Sequence, residues 1–186
     1  TKKMSEVEKK EASESAAAAS EVEEESKADH TVKLLSQENE EFEVPFAVAQ
    51  MSELVKTMTD DGDMEEVPLP NVKSHILAKV LEFCKRHVTD PLPEIEKPLK
   101  SNNLGEVVPE WDSKFVEVGQ EILFELILAA NYMDIKTLMD LSCAKVATMI
   151  MGKTPEEIRK QFNIVNDFTP EEEAQIREEN KWVEES

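Results

Sequence analysis

Hydrophobic patterning begins at Thr31. Val32 and Leu34, then Phe42 and Val44, alternate with polar neighbours on either side of the stretch Ser36–Glu41, which predicts two short strands joined by a polar turn. Phe46, Val48, Met51, Leu54, Val55 and Met58 then recur at helical spacing, predicting a helix from Pro45 to Met58. The acidic break Asp60–Glu66 leads to Val67-Pro-Leu-Pro70, where two prolines that cannot donate to a ladder restrict the segment to a sheet edge or a loop. Asn71 is placed to cap the next helix, whose Ile76, Leu77, Val80, Leu81 and Cys84 share one side.

From His87 to Glu110 the period is lost among Pro91, Pro93, Pro98 and Pro109, so this stretch reads as an insertion, flexible over about 89–109 and ordered at its end by Trp111 and Phe115. Gln120–Tyr132 is apolar on every side, the signature of a helix in the middle of a core. Ile135, Leu138, Met139, Ser142, Cys143, Val146, Met149 and Ile150 follow as a wide, methionine-rich helical stripe. The last segment holds two near-identical starts, Thr154-Pro-Glu-Glu157 and Thr169-Pro-Glu-Glu172. Each is a capping box with proline at the first helical position, worth about 1 kcal/mol per cap.

Composition changes the picture at the N-terminus. Residues 1–30 carry nine acidic and five basic residues, are rich in Ala and Ser and have no aromatic, so they read as a disordered acidic tail. The whole chain of 186 residues has a net charge of −20, which repels phosphate backbones and steers basic surfaces inward; nucleic acid is excluded as a direct partner. The most apolar stretch, Ile122–Ala130, is short and broken by Glu125, so no membrane partner is expected. The tail lacks the apolar run of a secretion signal, and the expected location is cytoplasmic and nuclear; the chain opens on Thr1 rather than Met, so its native start is expected to be trimmed or missing. Cys84 and Cys143 read as buried thiols of a reducing compartment, with one disulfide as the alternative.

Reactive groups do not assemble into an active site. His30 lies in the tail, and Cys84 with His87 at i, i+3 supplies two ligands where a closed zinc site needs four; a packed cysteine beside a surface histidine is the expectation. Gly152-Lys153-Thr154 ends like a phosphate loop, but the leading glycine would fall at Ala147 and a helix precedes it, so Gly152 reads as a helix C-cap. The acidic runs lack the alternating ligands of a calcium loop. No catalytic residue, metal or cofactor is expected, and the chain is not read as an enzyme.

The final helices carry more apolar surface than they can bury alone. Phe162, Ile164, Phe168 and Trp182 would each gain roughly 1.5–3 kcal/mol from burial. Either the segment folds back on its own domain or it meets another chain, and Met139, Met149 and Met151 nearby suit an adaptable partner face.

These same residues carry a family resemblance. The run from Glu121 to Ile150, followed by Gly152-Lys-Thr-Pro-Glu-Glu-Ile-Arg-Lys-Gln-Phe-Asn-Ile164 and the stretch Asn166–Glu185, resembles the S-phase kinase-associated protein family, the adaptors of SCF-type cullin–RING ubiquitin ligases. The likeness runs from about Thr31 to the end. It implies an α+β fold: a BTB/POZ-like domain over 31–151, a small sheet flanked by helices, then a helical extension over 152–186 that clasps the F-box motif of substrate receptors. Positions matching that clasp are Met139, Cys143, Val146, Ile150, Pro155, Ile158, Phe162, Ile164 and Trp182; Asn131 and Tyr132 match positions that dock on the cullin scaffold. The resemblance implies F-box proteins and a cullin as partners and a role in ubiquitin-dependent degradation; because an empty clasp leaves apolar surface uncovered, the protein free of F-box protein is expected to self-associate as a homodimer or to leave its C-terminus partly disordered. Val183, Met151 and Thr137 depart from the usual family residues, and Pro170 matches a proline that in some members resembles a site of prolyl hydroxylation and glycosylation. An elongin-C-like adaptor, or a self-assembling BTB scaffold, is the alternative reading.

Overall fold

The computed structural model describes residues 30–60 and 66–181. The tail through residue 29, the acidic stretch 61–65, and 182–186 with Trp182 and Val183 lie outside the described residues. The chain divides into two compact units, Thr1–Thr148 and Met149–Ser186.

In the first unit, strands β1 (Thr31–Leu35) and β2 (Glu41–Pro45) pair antiparallel, with Val32 opposite Val44 and Leu34 opposite Phe42. The alternation puts Val32, Leu34 and Val44 into the core, as period-two patterning demands. The proline-limited segment forms β3 (Glu66–Pro68), parallel to β1 in the order β2-β1-β3, so it takes an edge.

The helix expected over 45–58 is two helices, α1 (Phe46–Ala49) and α2 (Glu53–Thr59). Ser52 makes the break: its backbone is extended and its hydroxyl accepts from Val55 N, opening α2 afresh. The next helix, α3 (Ser74–His87), starts three residues after the expected cap at Asn71. Its cap comes from across the chain. Glu38 in the β1–β2 turn accepts from Ser74 N at 2.7 Å and from Ser74 Oγ at 2.8 Å, and this carboxyl is held below the usual glutamate range by the Ser74 hydroxyl first and the Ser74 amide second.

After α3 the insertion runs irregularly, yet Ile95, Leu104 and Val108 are buried and Lys97 Nζ donates to Asp140 at 2.8 Å. The short helix α4 (Glu110–Phe115) returns the chain, with Trp111 stacked on Phe115 at 5.1 Å between ring centroids. Then come α5 (Gln120–Tyr132) and α6 (Lys136–Ile150). The core joins the sheet residues to Ile76, Leu77, Val80 and Phe83 of α3, Leu123, Leu126 and Ala130 of α5, and Leu138 and Leu141 of α6. Three expectations are corrected here. α5 is not buried all round, because Phe124 and Leu128 are 39% and 67% exposed. Cys143 is exposed and free, whereas Cys84 is buried and its thiol is pushed up to about 12 by that burial. His87 is no surface residue; it is buried against Asp112.

In the second unit, α7 (Pro155–Phe162) and α8 (Pro170–Glu179) both begin in the expected capping boxes. Thr154 Oγ1 accepts from Glu157 N at 3.3 Å while Glu157 Oε2 accepts from Thr154 N at 2.9 Å, and Thr169 with Glu172 repeats both distances. Gly152, at φ 74°, closes the helix before them, in the left-handed region that favours glycine.

Candidate partner-binding surfaces

The second unit holds its two helices together by charge rather than by a core. Arg159 on α7 pairs with Glu173 on α8 at 2.7 Å, and Arg177 on α8 pairs with Glu156 on α7 at 3.0 Å. Neither helix has a buried residue. Ile164, Val165, Phe168 and Ile176 are 54%, 83%, 47% and 39% exposed. An open cleft of about 780 Å³ lies between the helices, its lining including the apolar Phe168 and Ile176 and the charged Lys153, Glu156, Arg159, Glu173 and Arg177. Of the four exposed side chains, Ile176 lies on α8 and Ile164, Val165 and Phe168 on the link between the two helices, and exposed apolar side chains grouped in this way make a candidate docking surface.

The expected F-box positions fall as follows. Pro155, Ile158 and Phe162 lie on α7 at i, i+3, i+7, so one face carries all three; Pro155 is exposed, and Ile158 and Phe162 are half-buried. Ile164 follows just after the left-handed Asn163 and is exposed, as is Ile150. Met139, Cys143 and Val146 lie on α6 at i, i+4, i+7, Cys143 exposed and the others half-buried. Trp182 lies outside the described residues. Pro170 is the first residue of α8, exposed, between the Thr169 cap and three glutamates.

A second surface lies on α5. Asn131 is exposed and Tyr132 half-buried, and Phe124 and Leu128 stand seven and three residues before Asn131 on the same helical stripe. Sequence reading missed these two because α5 is apolar all round, so no polar face marks the side turned to solvent. Beside them Glu125 accepts from Lys73 Nζ at 2.5 Å and lies 3.4 Å from His75 Nε2. Its Oε2, though buried, accepts no hydrogen bond. A cleft of about 190 Å³ opens there between Asn71, Glu125 and Leu128.

Among the described residues there is no cluster of three or more His, Cys, Asp or Glu able to hold a metal ion, and no helix is long and apolar enough to cross a membrane. Among the described residues, what the geometry offers is surface: two capped helices and a link between them with exposed apolar side chains.

Comparison with known proteins agrees with that chemistry. Residues 30–89 match the Skp1 family tetramerisation domain and residues 136–183 the Skp1 family dimerisation domain. The chain is 62% identical over 157 residues to the S-phase kinase-associated protein 1 homolog of Tetrahymena thermophila, covering 83% of this chain and 95% of that protein. It is 52% identical over 157 residues to Suppressor of kinetochore protein 1 of Schizosaccharomyces pombe, across 82% of this chain and 97% of that one. Over 162 residues it is 51% identical to the E3 ubiquitin ligase complex SCF subunit sconC of Arthroderma benhamiae, covering 86% and 99%. With a small sheet flanked by helices, a helical C-terminal part and relatives matched over nearly their whole length, the chain belongs to the Skp1 family.

Proposed function

We propose that this chain is the non-catalytic adaptor of an SCF E3 ubiquitin ligase, joining F-box substrate receptors to a cullin scaffold. The observation that carries the reading is the second unit, whose two capped helices bury nothing of their own and which exposes Ile176 on α8 and Ile164 and Phe168 on the link between the helices. A large, mainly apolar partner interface of about 2,000 Å² or more suits such a surface. The names of the relatives, an SCF subunit among them, support the same role.

The F-box contacts are Met139, Cys143, Val146, Ile150, Pro155, Ile158, Phe162, Ile164 and Trp182, and the exposed stripe ending in Asn131 and Tyr132 takes the cullin. Met151, 37% exposed, enlarges the apolar surface and shifts preference among F-box sequences. The chain works in cytoplasm and nucleus, pairs with a second copy when no F-box protein is bound, and offers Pro170 for hydroxylation. The exposure of that proline supports its modification.

The test is capture of an F-box protein and of a cullin by the full chain. Phe162→Ala and Trp182→Ala are expected to abolish F-box capture while cullin capture persists. Both variants binding an F-box peptide with unchanged affinity would sink the assignment. A self-assembling scaffold would instead stay dimeric after deletion of residues 152–186, and an elongin-C-like adaptor would capture a different receptor box.

A further inference from the structure

Between Val88 and Pro109 the chain leaves α3 and returns at α4, and the insertion between them is fixed by its own residues. Ile95, Leu104 and Val108 are buried. Asn103 Oδ1 accepts from Gly105 N at 3.2 Å, and Glu106 accepts from Ser101 Oγ at 2.8 Å and from Asn103 Nδ2 at 3.2 Å. Lys97, two residues past the buried Ile95, donates from Nζ to Asp140 Oδ1 on α6 at 2.8 Å. A lysine carried on an ordered segment reaches such a partner at less entropic cost than one on a free chain. The insertion thereby comes to lie at the edge of the exposed face of α6.

Asp140 heads that face. Asp140, Cys143 and Ala147 recur at i, i+3, i+7 on α6, and Met139 stands beside Asp140 in the chain. Asp140 is half-buried, while Cys143 and Ala147 are exposed. The side chains of Lys97 and Asp140 are 69% and 44% exposed, and in water a pair so exposed does little for stability. Its worth changes once a partner lies over Met139, Cys143 and Val146. The Asp140 carboxylate then loses water beside apolar groups, where a countered charge is tolerated and an uncountered one is costly. Lys97 is the cation that counters it; Lys100, further along the insertion, is paired with Glu96. We propose that the insertion is part of the F-box surface and that Lys97 is a positioning residue there, supplying the charge that lets a receptor cover Asp140, a role that rests on the assignment of the α6 stripe to F-box contact.

Binding of a purified F-box domain to the full chain is measured by calorimetry for wild type, Lys97→Ala, Lys97→Arg, Asp140→Asn and the double variant Lys97→Ala/Asp140→Asn. Lys97→Ala is expected to raise Kd about three- to tenfold, towards the lower end of couplings between contacting residues because the pair lies at the edge of the stripe. Its urea midpoint is expected to stay at the wild-type value, since the pair is exposed in the free chain. Lys97→Arg keeps the charge and is expected to keep the affinity. Asp140→Asn removes the charge that needs countering, so this variant and the double variant are both expected within about twofold of wild type.

Unchanged affinity in Lys97→Ala, or a loss that persists undiminished in the double variant, overturns the role of Lys97. Should Lys97→Ala also prove less stable, the double variant decides, because the lost tether persists there and the uncountered carboxylate does not. Phe162→Ala separates this role from the reading beneath it. A wild-type chain that binds no F-box domain overturns both. Binding that is lost in Phe162→Ala and kept in full by Lys97→Ala overturns the role of Lys97 alone.

Discussion

Replacing Ser52 with alanine removes one oxygen that serves two elements. Ser52 is 1% exposed; its hydroxyl accepts from Val55 N at 3.2 Å, opening α2, and donates to the Met133 carbonyl at 2.5 Å, closing α5. The two helix ends meet there, and Glu53 N and Leu54 N also donate to the carbonyls of Asp134 and Met133. Loss of the cap costs about 1 kcal/mol. Loss of a buried hydrogen bond adds about 1 kcal/mol, and no more, because Met133 O keeps the Leu54 amide at 3.4 Å. The sum is about 2 kcal/mol. With a urea dependence of about 1–3 kcal/mol per molar, the denaturation midpoint followed by circular dichroism falls by about 1 M. Ser142→Ala is the matched control. Ser142 is 0% exposed and its hydroxyl has no hydrogen-bond partner, so its removal relieves an unmet group and leaves the midpoint unchanged or higher. The reasoning fails if Ser52→Ala stays within about 0.5 kcal/mol of wild type, or if Ser142→Ala is equally damaging.

Thiol labelling of the native chain at neutral pH should modify Cys143 and spare Cys84, whose thiol burial pushes up to about 12; labelling of Cys84 at the Cys143 rate contradicts its burial. Glu38 is held below the usual carboxylate range by Ser74, so its support of α3 is present above the ordinary glutamate value of about 4.3 and lost as pH falls through the lower folded value. Glu38→Gln should accordingly be less stable than wild type at neutral pH, with the gap closing on acidification. A gap that widens in acid would reverse the assigned sign.

Local signals were legible in the sequence where the responsible atoms are neighbours in the chain. Thr154 with Glu157 and Thr169 with Glu172 complete their capping boxes within four residues, and β1 and β2 follow from alternation across one short turn. What escaped depends on atoms brought from afar. The start of α3 is fixed by Glu38, so Asn71, a good cap by type, is passed over. The break at Ser52 is paired with Met133, a residue 81 positions away. His87 is buried because Asp112 returns to meet it after the insertion, and no period in the sequence records that meeting. On the candidate surfaces, the excess of apolar residues over what short helices can bury pointed to a partner, but it did not show that Phe124 and Leu128 are exposed.

The self-contained starts of α7 and α8 have a consequence for competition among receptors. A segment that must wind up on contact spends part of its contact energy on ordering, and much of that cost is common to every ligand. Here Thr154 and Thr169 set both helices before anything arrives. Under the proposed role, different receptors would then be ranked by the side chains they place against this surface, and the turnover of one for another would be set by how fast the first lets go.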